Sequence, residues 1–344
     1  MSTSGYRDGV GTGKRVDISD VAARAGVSPT TVSHVISGRR PVSEATQARV
    51  RAVMNELGWE PNQVARSLRM RRTHTIALIV PDITNPFYPA VARGLLDVVS
   101  EPGYQVLIGN TEGESAAERA AVTQMVTRSV DAIVFAGYYS KASDVEAAVA
   151  AGIPVALMGG RRAEPGIDVL SSDDLAAGEI ATRYLIGRGY RRIGFITGPS
   201  GEGPPADRVK GYRHALSEAG IRFSRELVVR GEFSRAGGLQ GLHALLQLTK
   251  PPRAVLCTND VVAIGALDAA RERALRVPDD IAVMGFDDIE AAAMISPSLT
   301  TVSGDPREQG RAVGQVLLDR LEDGASSRPQ HILFSPSVVP RDSA

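Results

Sequence analysis

The chain has 344 residues, of which 43% are hydrophobic, and it carries a formal net charge of +0 and one cysteine, Cys257. This length and composition favour two or three compact units over a disordered chain, and a single cysteine excludes an internal disulfide. No apolar run approaches the length of a membrane span, so an integral membrane protein is excluded as well.

Residues 1–15 are predicted to form a disordered leader. They are mostly Ser, Thr, Gly and charged residues, without the apolar centre of a signal peptide, so we expect a soluble, cytoplasmic protein. The segment 9–15 resembles a phosphate loop, but Asp8 stands where that loop needs its first glycine and Arg15 where it needs Ser or Thr. We therefore predict no nucleotide site there.

Residues 16–60 have the pattern of a helix-turn-helix domain. The apolar residues of the first helix share one face: Ile18, Val21, Ala22 and Ala25. Asp17 is its predicted N-cap, and Gly26 permits the tight turn that follows. Ser28 then caps a second helix that has Pro29 at its first position.

The second helix turns Val32, Val35 and Ile36 inward and leaves short or polar residues outward: Thr30, Thr31, Ser33, His34 and Ser37. A third helix, capped by Ser43 and ended by Gly58, buries an apolar face made of Val50, Val53, Met54 and Leu57. Such an all-α headpiece makes double-stranded DNA the first predicted partner, and a generic helical hairpin with solvated faces is the alternative.

The charge distribution favours DNA. Residues 1–72 contain twelve Arg and Lys against six Asp and Glu, which gives this segment a charge of +6 and leaves −6 for the remainder. A basic head on an acidic body is expected when one module binds phosphates and the other does not.

Residues 61–73 are predicted to be a hinge segment. It is too short to form a stable helix alone in water, so we expect it to order only on DNA. Its arginines would meet phosphates, and Leu68 would wedge between base steps in the minor groove. An ordinary basic linker is the alternative.

Residues 74–340 alternate apolar strand-like runs with helical stretches. The runs form two sets, at 76–80, 106–108, 133–135 and 155–158, and at 193–197, 255–258 and 281–286. Runs that are apolar on both faces indicate parallel sheets covered by helices on both sides. We predict an α/β core of two doubly wound lobes, one from about 74–174 with 303–335 and one from 175–302 with the C-terminal end.

Polar and aromatic residues follow several of these strands, where ligands gather in such sheets. Those predicted to meet an effector in the cleft between the lobes are Phe87, Tyr88, Asn110, Tyr138, Arg208, Phe233, Asn259 and Asp287. Their ring faces, amides and charged groups suit a small polar molecule such as a sugar or sugar derivative. The alternative is that each only caps a turn or a helix.

Catalysis is not expected. The chain has no Gly-x-Ser-x-Gly nucleophile motif, its five histidines are scattered, and Asp287 and Asp288 are adjacent rather than opposed. We therefore predict no catalytic residue, no metal site and no cofactor.

From Val16 to about Pro340 the chain resembles the lactose-repressor and galactose-repressor family of bacterial transcription regulators. The motifs that carry the resemblance, in order, are Asp20-Val21-Ala22, Ala25-Gly26-Val27-Ser28, Thr31-Val32-Ser33, Pro61-Asn62 with Ala65 and Leu68, Asn85-Pro86-Phe87, Arg208-Val209-Lys210-Gly211-Tyr212, Asn259-Asp260 and Gly285-Phe286-Asp287-Asp288.

By this resemblance, the second helix enters the major groove. Pro29, Thr30 and His34 would read bases, and Ser28, Thr31, Ser33 and Ser37 would face phosphates, with Ala65 and Leu68 also contacting DNA. The body resembles periplasmic sugar-binding proteins, and in it six residues match ligand-contacting positions: Phe87, Asn110, Arg208, Phe233, Asn259 and Asp287. The implied function is that of a homodimeric repressor that binds a palindromic operator under effector control.

Three departures from the family pattern bear on specificity. His34 stands where many relatives have arginine, and imidazole cannot make the bidentate contact to guanine. Ala136, Gly159 and Gly304 replace polar residues of some sugar-responsive members, which leaves open an effector other than a simple hexose. The chain ends shortly after Pro340 without heptads, which favours a dimer over a tetramer. A transport-type solute-binding protein without DNA function is the alternative.

Overall fold

The computed structural model describes residues 16–37, 40–60, 72–137, 142–159, 166–199, 202–323 and 328–344. The chain divides into two compact units, Met1–Thr73 and His74–Ala344. We call the described part of the first unit the headpiece and that of the second unit the body.

The headpiece has the three predicted helices, α1 (Ile18–Ala25), α2 (Pro29–Ser37) and α3 (Glu44–Glu56). Asp17 caps α1 in a reciprocal capping box with Asp20, and Gly26 ends that helix with a φ of 65°. Ser28 Oγ accepts a hydrogen bond from the Thr31 backbone N–H at 3.1 Å, as expected of a cap on α2. These local sequence signals are confirmed.

The headpiece core consists of the predicted inward faces. Seven small or β-branched residues are buried in it: Val21, Ala22, Ala25, Val32, Val35, Val50 and Val53. Ile36, Met54 and Leu57 are only partly buried and pack around its edge. An exposed ion pair, Arg24 with Glu56 at 2.5 Å, joins α1 to α3.

The strands of the body, in chain order, are β1 (Thr75–Val80), β2 (Gln105–Asn110), β3 (Ala132–Phe135), β4 (Val155–Met158), β5 (Ile167–Ser172), β6 (Ile193–Thr197), β7 (Val228–Arg230), β8 (Ala254–Cys257), β9 (Ala282–Met284), β10 (Thr301–Ser303), β11 (His331–Phe334) and β12 (Ser337–Val339). Its helices are α4 (Phe87–Val99), α5 (Ser115–Thr127), α6 (Glu146–Ala150), α7 (Asp174–Gly187), α8 (Gly203–Glu218), α9 (Arg235–Leu246), α10 (Asp260–Glu272), α11 (Glu290–Met294) and α12 (Pro306–Asp323).

The strands form two parallel sheets and a small antiparallel pair. The first sheet has the order β11-β5-β4-β3-β1-β2, the second has the order β7-β6-β8-β9, and β10 pairs with β12. In the first sheet Leu78 of β1 lies between Ile108 of β2 and Val134 of β3. The prediction of two doubly wound parallel sheets is confirmed.

Both faces of each sheet are buried, because side chains of one strand alternate between two hydrophobic clusters. Ile76 and Leu78 pack under α4 and α12, whereas Ala77 and Ile79 face α5. The second sheet is covered by α7 and α8 on one side and by α9 and α10 on the other. This layering explains why the runs read as continuously apolar.

Three helix pairs cross at glycines. A Cβ on Gly94 of α4 would collide with the Arg307 backbone of α12, and one on Gly310 would collide with Val91 of α4. Gly178 and Gly211 play the same part between α7 and α8, as do Gly238 and Gly265 between α9 and α10. At these crossings the helix backbones are in direct contact.

Five strands were absent from the sequence prediction: β5, β7, β10, β11 and β12. The β5 strand shows why, since it carries the fully buried Asp168. Arg320 binds this carboxylate with two hydrogen bonds of 2.6 Å, and the Gln330 N–H donates to it at 2.8 Å. Arg320, which stabilises this buried carboxylate, lies 152 residues away in the chain, so the local pattern around Asp168 does not reveal it.

The chain passes between the two sheets three times, after β5, after β10 and after β11. The first of these crossovers is tied to the third, because the Asp173 N–H donates to the Phe334 carbonyl at 3.1 Å. Among the described helices, none combines the length and apolar character that a membrane span requires.

Candidate functional site

The outward face of α2 presents the predicted DNA contacts. Ser28, Pro29, Thr30 and Ser37 are exposed, whereas Thr31, Ser33 and His34 are half-buried. The Ser28 and Thr31 hydroxyls lie 2.9 Å apart, so the start of the helix offers a joined pair of hydrogen-bonding groups. Ala65 and Leu68 lie outside the described residues.

A cleft between the two sheets of the body gathers most of the predicted effector contacts. Six predicted residues line it: Phe87, Tyr88, Arg208, Phe233, Asn259 and Asp287. Tyr138 lies outside the described residues. The exposed Asn110 is not in the lining, and its side-chain oxygen accepts a hydrogen bond from the Ile83 N–H at 2.8 Å. That bond holds the loop after β1.

Arg208 is the centre of the charged part of the cleft. Its Nε donates to Asp174 at 2.8 Å, its Nη1 donates to the Thr258 carbonyl at 2.5 Å, and Asp287 lies 3.8 Å from the same nitrogen. The guanidinium also lies over the Phe286 ring, 4.7 Å from its centroid. Arg208 is thus held in one orientation before any ligand arrives.

Asp287 lies in an unusual backbone conformation, with a φ of 106°. Burial raises the pKa of its carboxyl to about 7, although the nearby Arg208 opposes this rise. Behind it Asp260 is fully buried, accepting hydrogen bonds from the Thr301 hydroxyl at 2.6 Å and the Ile289 N–H at 2.9 Å. Burial and the neighbouring Asp287 raise the pKa of Asp260 as well.

The remaining polar groups of this side follow β8. Asn259 caps α10, accepting from the Val262 N–H at 2.9 Å. The Thr258 hydroxyl is buried and has no hydrogen-bond partner within the described residues. Phe233 packs on Gly198 at the end of β6, where a Cβ would strike its ring. An aromatic face and an uncommitted hydroxyl therefore border the charged groups.

The opposite side of the cleft, which belongs to the first sheet, is neutral among the described lining residues. Phe87 and Tyr88 meet edge to face, with ring centroids 5.2 Å apart, and Asn85 accepts from the Phe87 N–H at 3.1 Å. Ala136, Gly159 and Gly304, where the chain lacks polar residues of some sugar-responsive family members, line the cleft too.

Sequence reasoning missed several lining residues: Ser172, Asp174, Thr258, Phe286 and Gln309. Thr258 and Phe286 end predicted strand runs and directly precede the predicted Asn259 and Asp287, so their neighbours pointed to them. Asp174 follows β5, a strand that the sequence prediction lacked. Gln309 lies in the first turn of α12 and carries no local signal. The described residues contain no cluster of His, Cys, Asp and Glu that could hold a metal ion.

Two family models match this chain. One, described as bacterial regulatory proteins of the lacI family, matches residues 17–62, and a periplasmic binding protein-like domain matches residues 182–344. The ribose operon repressor of Escherichia coli (strain K12) is 35% identical over 329 residues, which cover 95% of this chain and 99% of that protein.

Solved structures of similar proteins also span the chain. A complex of the transcriptional regulator CelR with cellobiose is 30% identical, covering 96% of this chain and 100% of the other with a TM-score of 0.72. A lac repressor dimer bound to operator and the anti-inducer ONPF is 27% identical, covering 96% and 99% with a TM-score of 0.85.

The similarity includes the headpiece and the body together, and the relative in Escherichia coli is a repressor. The chain is therefore a DNA-binding transcription regulator, and both an enzyme and a transport-type solute-binding protein are excluded. With the resemblance read from its motifs confirmed, this chain belongs to the lacI family of bacterial regulatory proteins.

Proposed function

We propose that this protein is a homodimeric repressor that binds a palindromic operator through α2. Its affinity for the operator falls or rises when a small polar effector occupies the cleft. Sugars and sugar derivatives are the proposed effector class. The observation that carries the proposal is the presence, in one chain, of a helix-turn-helix headpiece and a cleft built around Arg208, Asp174 and Asp287.

The DNA contacts proposed are Ser28, Pro29, Thr30, Thr31, Ser33, His34 and Ser37 of α2, with Ala65 and Leu68 of the hinge segment. The effector contacts proposed are Phe87, Tyr88, Arg208, Phe233, Asn259 and Asp287. Asn110 is retained from the family pattern, and Tyr138 from its position after a predicted strand. The support for the residues at 28–37 is their position on the outward side of α2, and for the first six effector contacts it is their place in the lining of the cleft.

Control of DNA binding requires that the effector bind one arrangement of the lobes better than another. A hundredfold change in operator affinity corresponds to a coupling free energy of about 2.7 kcal/mol. Among the described lining residues, the charged groups lie on the side of the second sheet, and the side of the first sheet has neutral residues alone. A ligand that contacts both sides therefore has different interactions when the lobes open.

The test combines footprinting with ligand screening. A thermal-shift panel of D-ribose, D-glucose, cellobiose, D-ribose 5-phosphate, adenine and adenosine identifies the effector class, because a ligand at 100 times its Kd adds about 2.7 kcal/mol to stability. Footprints on the upstream region of its own gene are then compared with and without the stabilising compound. Identical footprints under all compounds, together with a monomer in sedimentation, would contradict the proposal.

Leu68→Ala tests the hinge assignment. Removing an intercalating side chain should weaken operator binding about tenfold while leaving salt-sensitive binding to random DNA within about twofold. Both affinities are measured by fluorescence anisotropy across a salt series. Equal losses on the two DNAs would remove the wedge role from Leu68.

A further inference from the structure

Gln309 is a buried polar side chain of the cleft that the proposed effector site does not yet include. It is only 4% exposed, and it lies in the first turn of α12, in the neutral side of the lining. Its position at the edge of the cleft follows from the hydrogen bonds of its side-chain amide.

The amide nitrogen of Gln309 joins two of the three crossovers between the lobes. Nε2 donates to the Ser172 hydroxyl at 3.1 Å, at the end of β5, and to the Gly304 carbonyl at 2.8 Å, just after β10. A backbone carbonyl can only accept, so this contact fixes which end of the amide is the nitrogen. Both protons of Nε2 are thereby used.

The amide oxygen of Gln309 is therefore the group left for a ligand. Within the described residues Oε1 accepts no hydrogen bond, and it is not among the polar atoms sealed off from solvent without a partner. Gly304 leaves room for the donor end of the amide, since a Cβ there would lie 3.0 Å from Ser172 Oγ and 3.1 Å from Gln309 Nε2. The two hydrogen bonds that Nε2 donates hold this oxygen in place, so a ligand would pair with it through a hydrogen-bond donor.

The charges of the described lining limit what that donor can be. Asp174 and Asp287 outnumber the one cation, Arg208, whose Nε and Nη1 are already committed to Asp174 and to the Thr258 carbonyl. An anionic ligand would face two carboxylates and a carbonyl acceptor on the other side. A hydroxyl group of an uncharged ligand satisfies both sides.

We propose that Gln309 is a specificity-determining residue that accepts a hydrogen bond from a hydroxyl of a neutral, polyhydroxylated effector. Because its Nε2 bonds to two crossovers, this contact also couples ligand binding to the arrangement of the lobes. This inference rests on the proposed function. It narrows the effector to uncharged sugars or polyols and excludes their phosphate esters.

The test compares Gln309→Met with Gln315→Met, a matched control on the exposed side of the same helix. The probe is whichever of D-ribose, D-glucose and cellobiose binds the unmodified protein most tightly by calorimetry, with its monodeoxy analogues and its phosphate ester. Gln309→Met should raise the Kd of the neutral probe about tenfold, and Gln315→Met should leave it unchanged.

The monodeoxy analogues separate ligand contact from a purely structural role. For one hydroxyl position, the unmodified protein should lose about as much affinity as Gln309→Met loses for the full sugar. The two changes together should cost no more than either alone. Additive losses at every position would overturn the contact. Should Gln309→Met fail to fold, Gln309→Asn, which shortens the amide, serves in the same cycle.

The Gln309 proposal and the proposed function are contradicted by different results. Tighter binding of the phosphate ester than of the neutral probe, or no binding of any neutral probe at millimolar concentration, overturns the Gln309 proposal while operator control by another effector stays intact. A neutral probe that binds through Gln309 but leaves operator affinity unchanged contradicts the proposed function and supports the contact. In the expected outcome, Gln309→Met also reduces the operator response at saturating probe.

Discussion

The two sides of the cleft differ in how they present polar groups. The side formed by the second sheet carries an ion cluster, with Arg208 bound to Asp174 and close to Asp287. The described lining on the first sheet carries no charge and offers aromatic edges and the Gln309 amide. We infer that the charged side anchors a ligand while the neutral side selects among ligands of similar polarity.

The strongest test of this asymmetry is Arg208→Met. It leaves Asp174 and Asp287 buried without their cation, so the free energy of unfolding should fall by about 3 kcal/mol, and effector affinity should fall about 100-fold or more. Urea denaturation and calorimetry measure the two losses. Arg213→Met, an exposed arginine on the same helix, is the matched control and should change little. Comparable losses in both variants would show that Arg208 is not an anchor.

A second test uses the raised pKa of Asp287. Because its pKa rises from 3.8 to about 7 on folding, its contribution to stability is complete below pH 4 and is lost as the pH climbs through 7. Asp287→Asn, which cannot ionise, should therefore gain stability over the unmodified protein at pH 8 and gain little at pH 4. Thermal denaturation across this range measures the difference.

The control for that pH series is Asp279→Asn, whose side chain is 65% exposed and pairs with Arg276 on the surface. Its curve should run parallel to that of the unmodified protein. If the Asp287→Asn curve is parallel too, burial of the carboxylate does not govern stability in this range.

The smallest expected effect belongs to Ser172→Ala. This change removes one of the two acceptors that hold Gln309 Nε2 but leaves the Gly304 carbonyl and the amide oxygen in place. The Kd of a neutral effector should rise about threefold, less than for Gln309→Met. A loss equal to that of Gln309→Met would mean that the amide serves only as a link between crossovers.

The headpiece could be predicted almost completely because its signals are local. The capping box of Asp17 and Asp20, the left-handed Gly26 and the cap at Ser28 each act within four residues of chain. The cleft residues that could be predicted lie on loops or helices after strands of the two parallel sheets, as Asn259 follows β8. Gln309 reaches the cleft through α12, which packs on strands more than 100 residues earlier, so its sequence neighbours give no hint of its surroundings.

Asn110 shows that a position at the end of a strand does not by itself bring a side chain into the cleft. It ends β2 as predicted, yet its amide is used to hold the Ile83 N–H rather than to line the cleft. A position at the carboxyl end of a parallel strand brings a residue near the ligand. Whether its side chain lines the cleft or bonds to a neighbouring loop depends on the hydrogen-bonding groups of that loop.

The glycines at the helix crossings have a consequence for redesign of this regulator. At Gly94, Gly178 or Gly238 even alanine would force two helices apart, so these positions should be left unchanged in any library that seeks a response to new effectors. Diversity can be placed instead at Ala136, which lines the cleft, whereas Gly159, with a φ of 84°, would strain any larger side chain. A biosensor derived from this protein would thus be varied at residues that line the cleft and kept unchanged at the glycines where its helices cross.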